Sequence, residues 1–161
     1  MQHPILWIHG EALGPANPAL LAHPGRPAVF VFDTELLAGR SPTSGDPAAL
    51  ASGSAAQPVS LQRIGFLYEC LLELPVSLRR GAVAEQVLAF AAEHGADGIV
   101  TSAGTDPRVA MICRQLEQQL PVQVLPVEAF VELDSPADLG RFSRYWRRAE
   151  PEVWAAWSPQ A

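Results

Sequence analysis

Apolar residues gather in short runs along this chain. Ile5-Leu6-Trp7-Ile8-His9 is ended by Gly10, and Ala28-Val29-Phe30-Val31-Phe32-Asp33 is rich in β-branched and aromatic side chains. Gly98-Ile99-Val100-Thr101-Ser102 and the run from Val122 to Leu125 repeat the pattern, with a briefer one at Val76-Ser77-Leu78-Arg79 before Gly81. Each predicts a strand. The runs are near-continuously apolar instead of alternating, as expected of strands covered on both faces of a parallel sheet.

Helical periodicity lies between them. Asn17-Pro18 opens a short helix that Pro24-Gly25 stops, with Asn as cap and Pro in the first turn. From Ser60 to Leu74, residues Ile64, Leu67, Leu71 and Leu74 share one stripe. Val83 to His94 is a second long helix, with Val87, Leu88 and Ala91 inward and Gly95 at its end. Thr105 or Asp106 caps a third, which has Pro107 in its first turn and runs to about Gln119. Ser135-Pro136-Ala137-Asp138 looks like a capping box, predicting a last helix over 136–148. Strands alternating with helices make parallel βαβ units with right-handed crossovers. The expected fold is therefore α/β: a Rossmann-like, doubly wound sheet of about five strands over residues 1–148, with a tail at 149–161. Sixteen of the 21 residues from 38 to 58 are Gly, Pro, Ser or Ala, so that stretch is expected to be a flexible surface excursion.

Composition narrows the function classes. A length of 161 residues fits one domain, and 48% hydrophobic content argues against disorder. No apolar run reaches the ~20 residues that span a bilayer, and Met1-Gln2-His3-Pro4 has no basic leader. A cytoplasmic protein without a membrane partner is expected. Cys70 and Cys113 are expected to be buried thiols, since neither stands in a CxxC or Cys/His cluster. All 11 basic residues are Arg, and the net charge is −6. Residues 1–140 hold seven Arg against fifteen acids, whereas 141–161 hold four Arg against two. An acidic body repels phosphate, so direct nucleic-acid binding is not expected.

In open α/β sheets, ligands bind beyond the carboxyl ends of the strands, where strand order reverses. If the first and fourth strands are neighbours, Gly10 and Glu11 meet the loop Ser102-Ala103-Gly104-Thr105-Asp106 there. That loop could offer N–H groups and hydroxyls to an anion, helped by Arg108, or Thr105 or Asp106 could simply cap its helix. Asp33 could meet a ribose hydroxyl or cap Thr34-Glu35-Leu36. Phe30, Phe32, Thr34 and Glu35 complete the candidate mouth. His9 has no nucleophile elbow or metal-ligand spacing beside it, so no catalytic residue and no metal site are assigned. Arg144, Tyr145, Trp146, Arg147, Arg148, Trp154 and Trp157 mix the residue types that anchor interfaces, although Trp146 could instead complete the core.

Several segments, in order, resemble the N-terminal α/β domain of the DNA photolyase and cryptochrome family. Ile5-Leu6-Trp7-Ile8 leading to Asn17-Pro18-Ala19-Leu20 is similar to that family's "LVWF" strand and "NPAL". Val29 to Asp33 resembles "VFxxD", and Arg63 to Leu74 resembles "R…FLxxSLxxL". Arg80-Gly81 through Ala84-Glu85-Gln86-Val87-Leu88 is similar to "xxGDPxExL", Asp106-Pro107 to "EP", and Phe142 to Arg148 to "FTPFWRRW". The resemblance covers nearly the whole chain and implies a domain holding an antenna chromophore (deazaflavin, folate or flavin) at the strand ends. It departs at informative places. The family's Arg-Asp-Leu-Arg turn is Gly10-Glu11-Ala12-Leu13. The Asn and Glu that hold folate in some members align with Ser102 and Gly104. The Asp of "GDP" is Ala82, and the stretch before the third strand is shortened at Pro75. The family's FAD-binding domain would follow Arg148, so the implied role is non-catalytic: an accessory subunit that docks onto a separate flavin-domain protein, or onto a second copy of itself, through the Arg/Trp segment.

Overall fold

A computed structural model describes residues 1–38, 59–129, 131, 133 and 140–157, with the side chains of residues 156 and 157 left aside. Along the chain lie β1 (Pro4–Ile8), α1 (Pro18–Ala22), β2 (Ala28–Asp33), α2 (Thr34–Leu37), α3 (Leu61–Leu72), β3 (Ser77–Gly81), α4 (Val83–Glu93), β4 (Gly98–Ser102), α5 (Pro107–Leu116), β5 (Val122–Leu125) and α6 (Phe142–Trp157). They fall into two compact units, residues 1–127 and 128–161.

The first unit is a Rossmann-like α/β fold. Its strands form one five-stranded sheet in the order β3-β2-β1-β4-β5, and every pairing is parallel. The order reverses between β1 and β4, where Pro4 lies opposite Gly98 and Trp7 opposite Thr101. Alternation along each strand explains why the runs are apolar throughout. Ile5, Trp7, Val29, Val31 and Ile99 pack with Val87, Phe90 and Ala91 of α4 and Ile112, Cys113 and Leu116 of α5. Leu6, Ile8, Ala28, Phe30 and Val100 pack on the other face with Ala19 of α1 and with Leu71 and Leu74. On the central strands β1, β2 and β4 water is excluded from both faces, so positions of either parity are mostly apolar, whereas the edge strands β3 and β5 are largely exposed.

The helix boundaries follow from capping. Asn17 accepts from the Ala19 and Leu20 N–H groups, and Pro18 begins α1. Ser60 accepts from the Arg63 N–H at the start of α3. Asp106 accepts from the Arg108 N–H and Pro107 begins α5, which settles the choice between Thr105 and Asp106. Gly95 follows α4 at φ +57, the left-handed conformation glycine tolerates at a helix end. The stripe expected on α3 is partly inward: Leu71 and Leu74 are buried, and Ile64 and Leu67 half-buried. Leu61, Phe66, Tyr68 and Leu72 of the same helix are exposed. Cys113 is buried as expected, and burial pushes its thiol pKa up. Cys70 is only half-buried, because it stands off the inward stripe of α3.

In the second unit, α6 begins at Phe142 and continues to Trp157. The expected helix began at 136 and ended at 148. Its start, the Ser135–Asp138 capping box, lies outside the described residues, as do residues 39–58 of the expected excursion. The helix runs through Pro151, which removes one backbone donor from its interior.

Candidate functional site

Parallel strands point their carboxyl ends the same way, so β1, β2 and β4 deliver His9-Gly10-Glu11, Phe32-Asp33 and Ser102 to one end of the sheet. At the switch point between β1 and β4 the chain joins to itself. His9 is 6% exposed. Its Nε2 lies 2.9 Å from the Ser102 carbonyl and 3.1 Å from Ser102 Oγ. Its Nδ1 accepts from the Glu11 N–H at 3.4 Å. The tautomer with the proton on Nε2 serves both sides of the ring, which leaves no nitrogen open as a base. Ser102 is fully buried, so its hydroxyl offers no nucleophile to an incoming substrate.

In the loop after β4, donors of Thr105 and Asp106 converge on a carboxylate of this chain. Glu11 accepts from the Thr105 N–H at 2.5 Å, from Thr105 Oγ1 at 2.9 Å and from the Asp106 N–H at 2.9 Å. These bonds, led by that from the Thr105 backbone, hold the Glu11 carboxyl below its ordinary pKa. Gly104 permits the closure: a Cβ there would lie 3.1 Å from Val109 Cγ2, 3.3 Å from Glu11 Oε2 and 3.3 Å from His9 Cε1. The Thr105 N–H and hydroxyl expected to face a ligand are thus engaged by Glu11, and Ser102 is bonded to His9.

Asp33 does both more and less than expected. It caps α2, accepting from the Glu35 and Leu36 N–H groups, and so uses Thr34 and Glu35 as an ordinary first turn. Its other oxygen pairs with the Arg108 guanidinium. Both side chains are nearly enclosed, at 10% and 11% exposure, and burial lowers the Arg108 pKa. Arg108 Nε is buried with no hydrogen-bond partner among the described residues.

An open cavity of about 200 Å³ lies beside the closed switch point. Trp7, Phe30 and Phe32 form part of its wall, with Leu36 and Leu37 of α2 and Leu67 of α3. Phe30 and Phe32 meet edge to face, with centroids 5.0 Å apart. Glu11, Asp33, Arg63 and Arg108 supply polar groups to the same wall. A second cavity of about 390 Å³ lies beyond the ion pair, lined by Glu35 and Glu85 among others. Asp33, Val83, Arg108 and Ile112 border both, so the Asp33–Arg108 pair is part of the partition. The apolar contributions from α2 and α3 were not anticipated. Leu67 read from sequence as part of an inward helical stripe and Leu36 as part of a turn, and only the fold brings them with Leu37 to one mouth.

The second unit separates the interface candidates by face. On α6, Phe142, Tyr145 and Trp146 share a stripe, with Phe142 and Trp146 rings stacked at 5.9 Å and 15°. Arg144, Arg147 and Arg148 recur at i, i+3 and i+4 on the opposite side, with Trp154 beside Arg147 by helical spacing. Trp157 closes the helix.

Among the described residues, no group of three or more His, Cys, Asp or Glu side chains is placed to hold a metal, and no helix is long and apolar enough to cross a membrane. No protein-family model matches this chain, and no curated protein matches its sequence.

Proposed function

We propose that this chain is a photolyase-like ligand-binding domain that holds the planar ring system of a small molecule at the carboxyl ends of β1 and β2. The observation that carries the reading is the cavity walled by Trp7, Phe30 and Phe32. A concave, mainly apolar wall with a few convergent polar groups is the usual form of a small-molecule site, and strand ends are its usual place in this fold class. At about 200 Å³ the cavity lies below the roughly 300–1,000 Å³ typical of small-molecule pockets, so it suits one ring system and not a whole dinucleotide. The Glu11 carboxylate in the loop after β4 also argues against a phosphate at the switch point, since a second anion would meet like charge. A deazaflavin, folate or flavin ring is the chromophore version of this ligand. The test is the absorbance spectrum and thermal unfolding of the purified protein, alone and with each of these added. A band above the tryptophan envelope, or a rise in Tm with one ligand, is expected. No band and no shift with any of them would refute the reading.

A second role rests on α6. Its aromatic stripe opposite an arginine face is the pattern of a helix that lays an apolar side on a partner, here a separate flavin-domain protein or a second copy. Light scattering and pull-down with such a protein test it. A monomer that recovers no flavoprotein would refute it.

A further inference from the structure

The two cavities at this end of the sheet share a wall made by Asp33, Val83, Arg108 and Ile112. Val83 and Ile112 are fixed in the core between the sheet and helices α4 and α5. Arg108 and Asp33 are fixed only as far as their backbones and one carboxylate oxygen. The Arg108 N–H donates to Asp106, the cap of α5, and Asp33 caps α2 through Oδ1, which leaves Oδ2 for the guanidinium. Swinging the Arg108 side chain aside therefore breaks the ion pair and keeps both caps. The closed position is also poorly satisfied. Among the described residues the guanidinium is held through Nη2 alone, and its buried Nε donates to nothing. A buried donor without an acceptor is costly, and a cation in the first turn of α5 meets the positive end of the helix dipole. Hydration of the open side chain relieves both.

We propose that the Asp33–Arg108 pair is a movable partition that sets the size of ligand the site accepts. Closed, it limits the site to one ring system. Open, it joins the cavity of about 200 Å³ to its neighbour of about 390 Å³, which brings the site into the range of roughly 300–1,000 Å³ usual for small-molecule pockets. The ligand that uses the joined space is a ring carrying a hydroxylated arm. Glu35, Glu85, Gln115 and Gln118 line the second cavity, so it offers acceptors to hydroxyl groups and repels a phosphate. Contacts of that arm, made only in the open state, offset the loss of the ion pair. The inference rests on the reading of the first cavity as a ligand site and adds its size specificity, with Arg108 as the residue that sets it.

Fluorescence titration of the full chain with lumiflavin, a flavin ring without an arm, and riboflavin, the same ring with a hydroxylated arm, tests the partition. In the wild type both should bind. The Arg108 Nε–H resonance, protected from solvent exchange in the free protein, should begin to exchange with riboflavin bound and stay protected with lumiflavin. Arg108→Ala removes the partition. Asp33→Asn discharges the pair and keeps an oxygen for the α2 cap, so it serves if Arg108→Ala does not fold. Each should raise the affinity for riboflavin relative to lumiflavin about tenfold, the worth of one hydrogen bond to a charged group that no longer has to be broken. An unmoved ratio in both variants, or an Nε–H that stays protected with riboflavin bound, would overturn the partition. Binding of lumiflavin with riboflavin excluded from wild type and variants alike would also overturn it and leave the ring site standing. Binding of neither would refute the site itself, and the partition with it.

Discussion

Glu11 places one carboxylate on three donors of the loop after β4, and two of those donors are backbone N–H groups just ahead of α5. Glu11→Gln keeps the size and removes the charge, so the loop loses its charged acceptor. We expect a stability loss of about 1 kcal/mol in urea unfolding near neutrality, the low end for bonds to a charged group because the side chain is exposed to water. The pH dependence has a definite sign. The folded pKa lies below the ordinary 4.5, so the contribution is complete above 4.5 and is lost as the pH falls through the depressed value. The gap between wild type and Glu11→Gln should be constant near neutrality and close in acid, and a gap of the same size well below 4.5 would contradict this assignment. Gly104→Ala tests the same closure sterically. Its Cβ would press on the stiff Val109 side chain at 3.1 Å as well as on Glu11 and His9, and we expect about 1 kcal/mol of destabilisation by thermal unfolding.

At the level of elements, α4 is the helix that starts without help. Its N-cap position is Ala82, with extended backbone and no side-chain hydrogen bond to the first turn. The side chain is exposed, so a hydroxyl can be added there without displacing anything. Ala82→Ser should stabilise the protein by about 1 kcal/mol and raise Tm by roughly 2–4 °C in a melt followed by circular dichroism. An unchanged Tm would mean that the first turn of α4 is already satisfied by water. Serine is a better choice than aspartate because Asp33, Glu35 and Glu85 line the cavity beside this turn. The same elements explain what could be read from sequence. β2 carries its boundaries in its own composition, since a strand covered on both faces is apolar along most of its length, whereas β5 is a half-exposed edge strand marked mainly by its valines. Caps are local devices: Asn17 was legible outright, and the cap of α5 was narrowed to Thr105 or Asp106. Glu11 was not, because its partners lie 94 and 95 residues away and nothing nearby in sequence calls for a carboxylate. The cavity was half legible. Phe30, Phe32 and Asp33 follow from the strand-end rule, whereas Leu67 and Arg63 reach it only through the placement of α3.

At the scale of the molecule, among the described residues the sheet, both apolar clusters and the wall of the candidate site belong to residues 1–127. A unit that contains its entire core and needs no cross-link should fold alone. Residues 1–127 expressed by themselves should therefore retain the α/β circular dichroism spectrum and unfold in one cooperative transition. This fragment also isolates a reporter. Of the four tryptophans, only Trp7 lies within it, and Trp7 is 2% exposed, at the end of β1 and on the cavity wall. Its emission should be blue-shifted in the folded fragment and move to the red on denaturation. A ring system bound in the cavity should change it, with the affinity the full chain shows. A fragment with exposed Trp7 emission and no cooperative transition would mean that residues beyond Val127 are required for the sheet. A folded fragment whose Trp7 emission responds to none of the ligands that the full chain binds would refute the assignment of the site to the strand ends of this sheet.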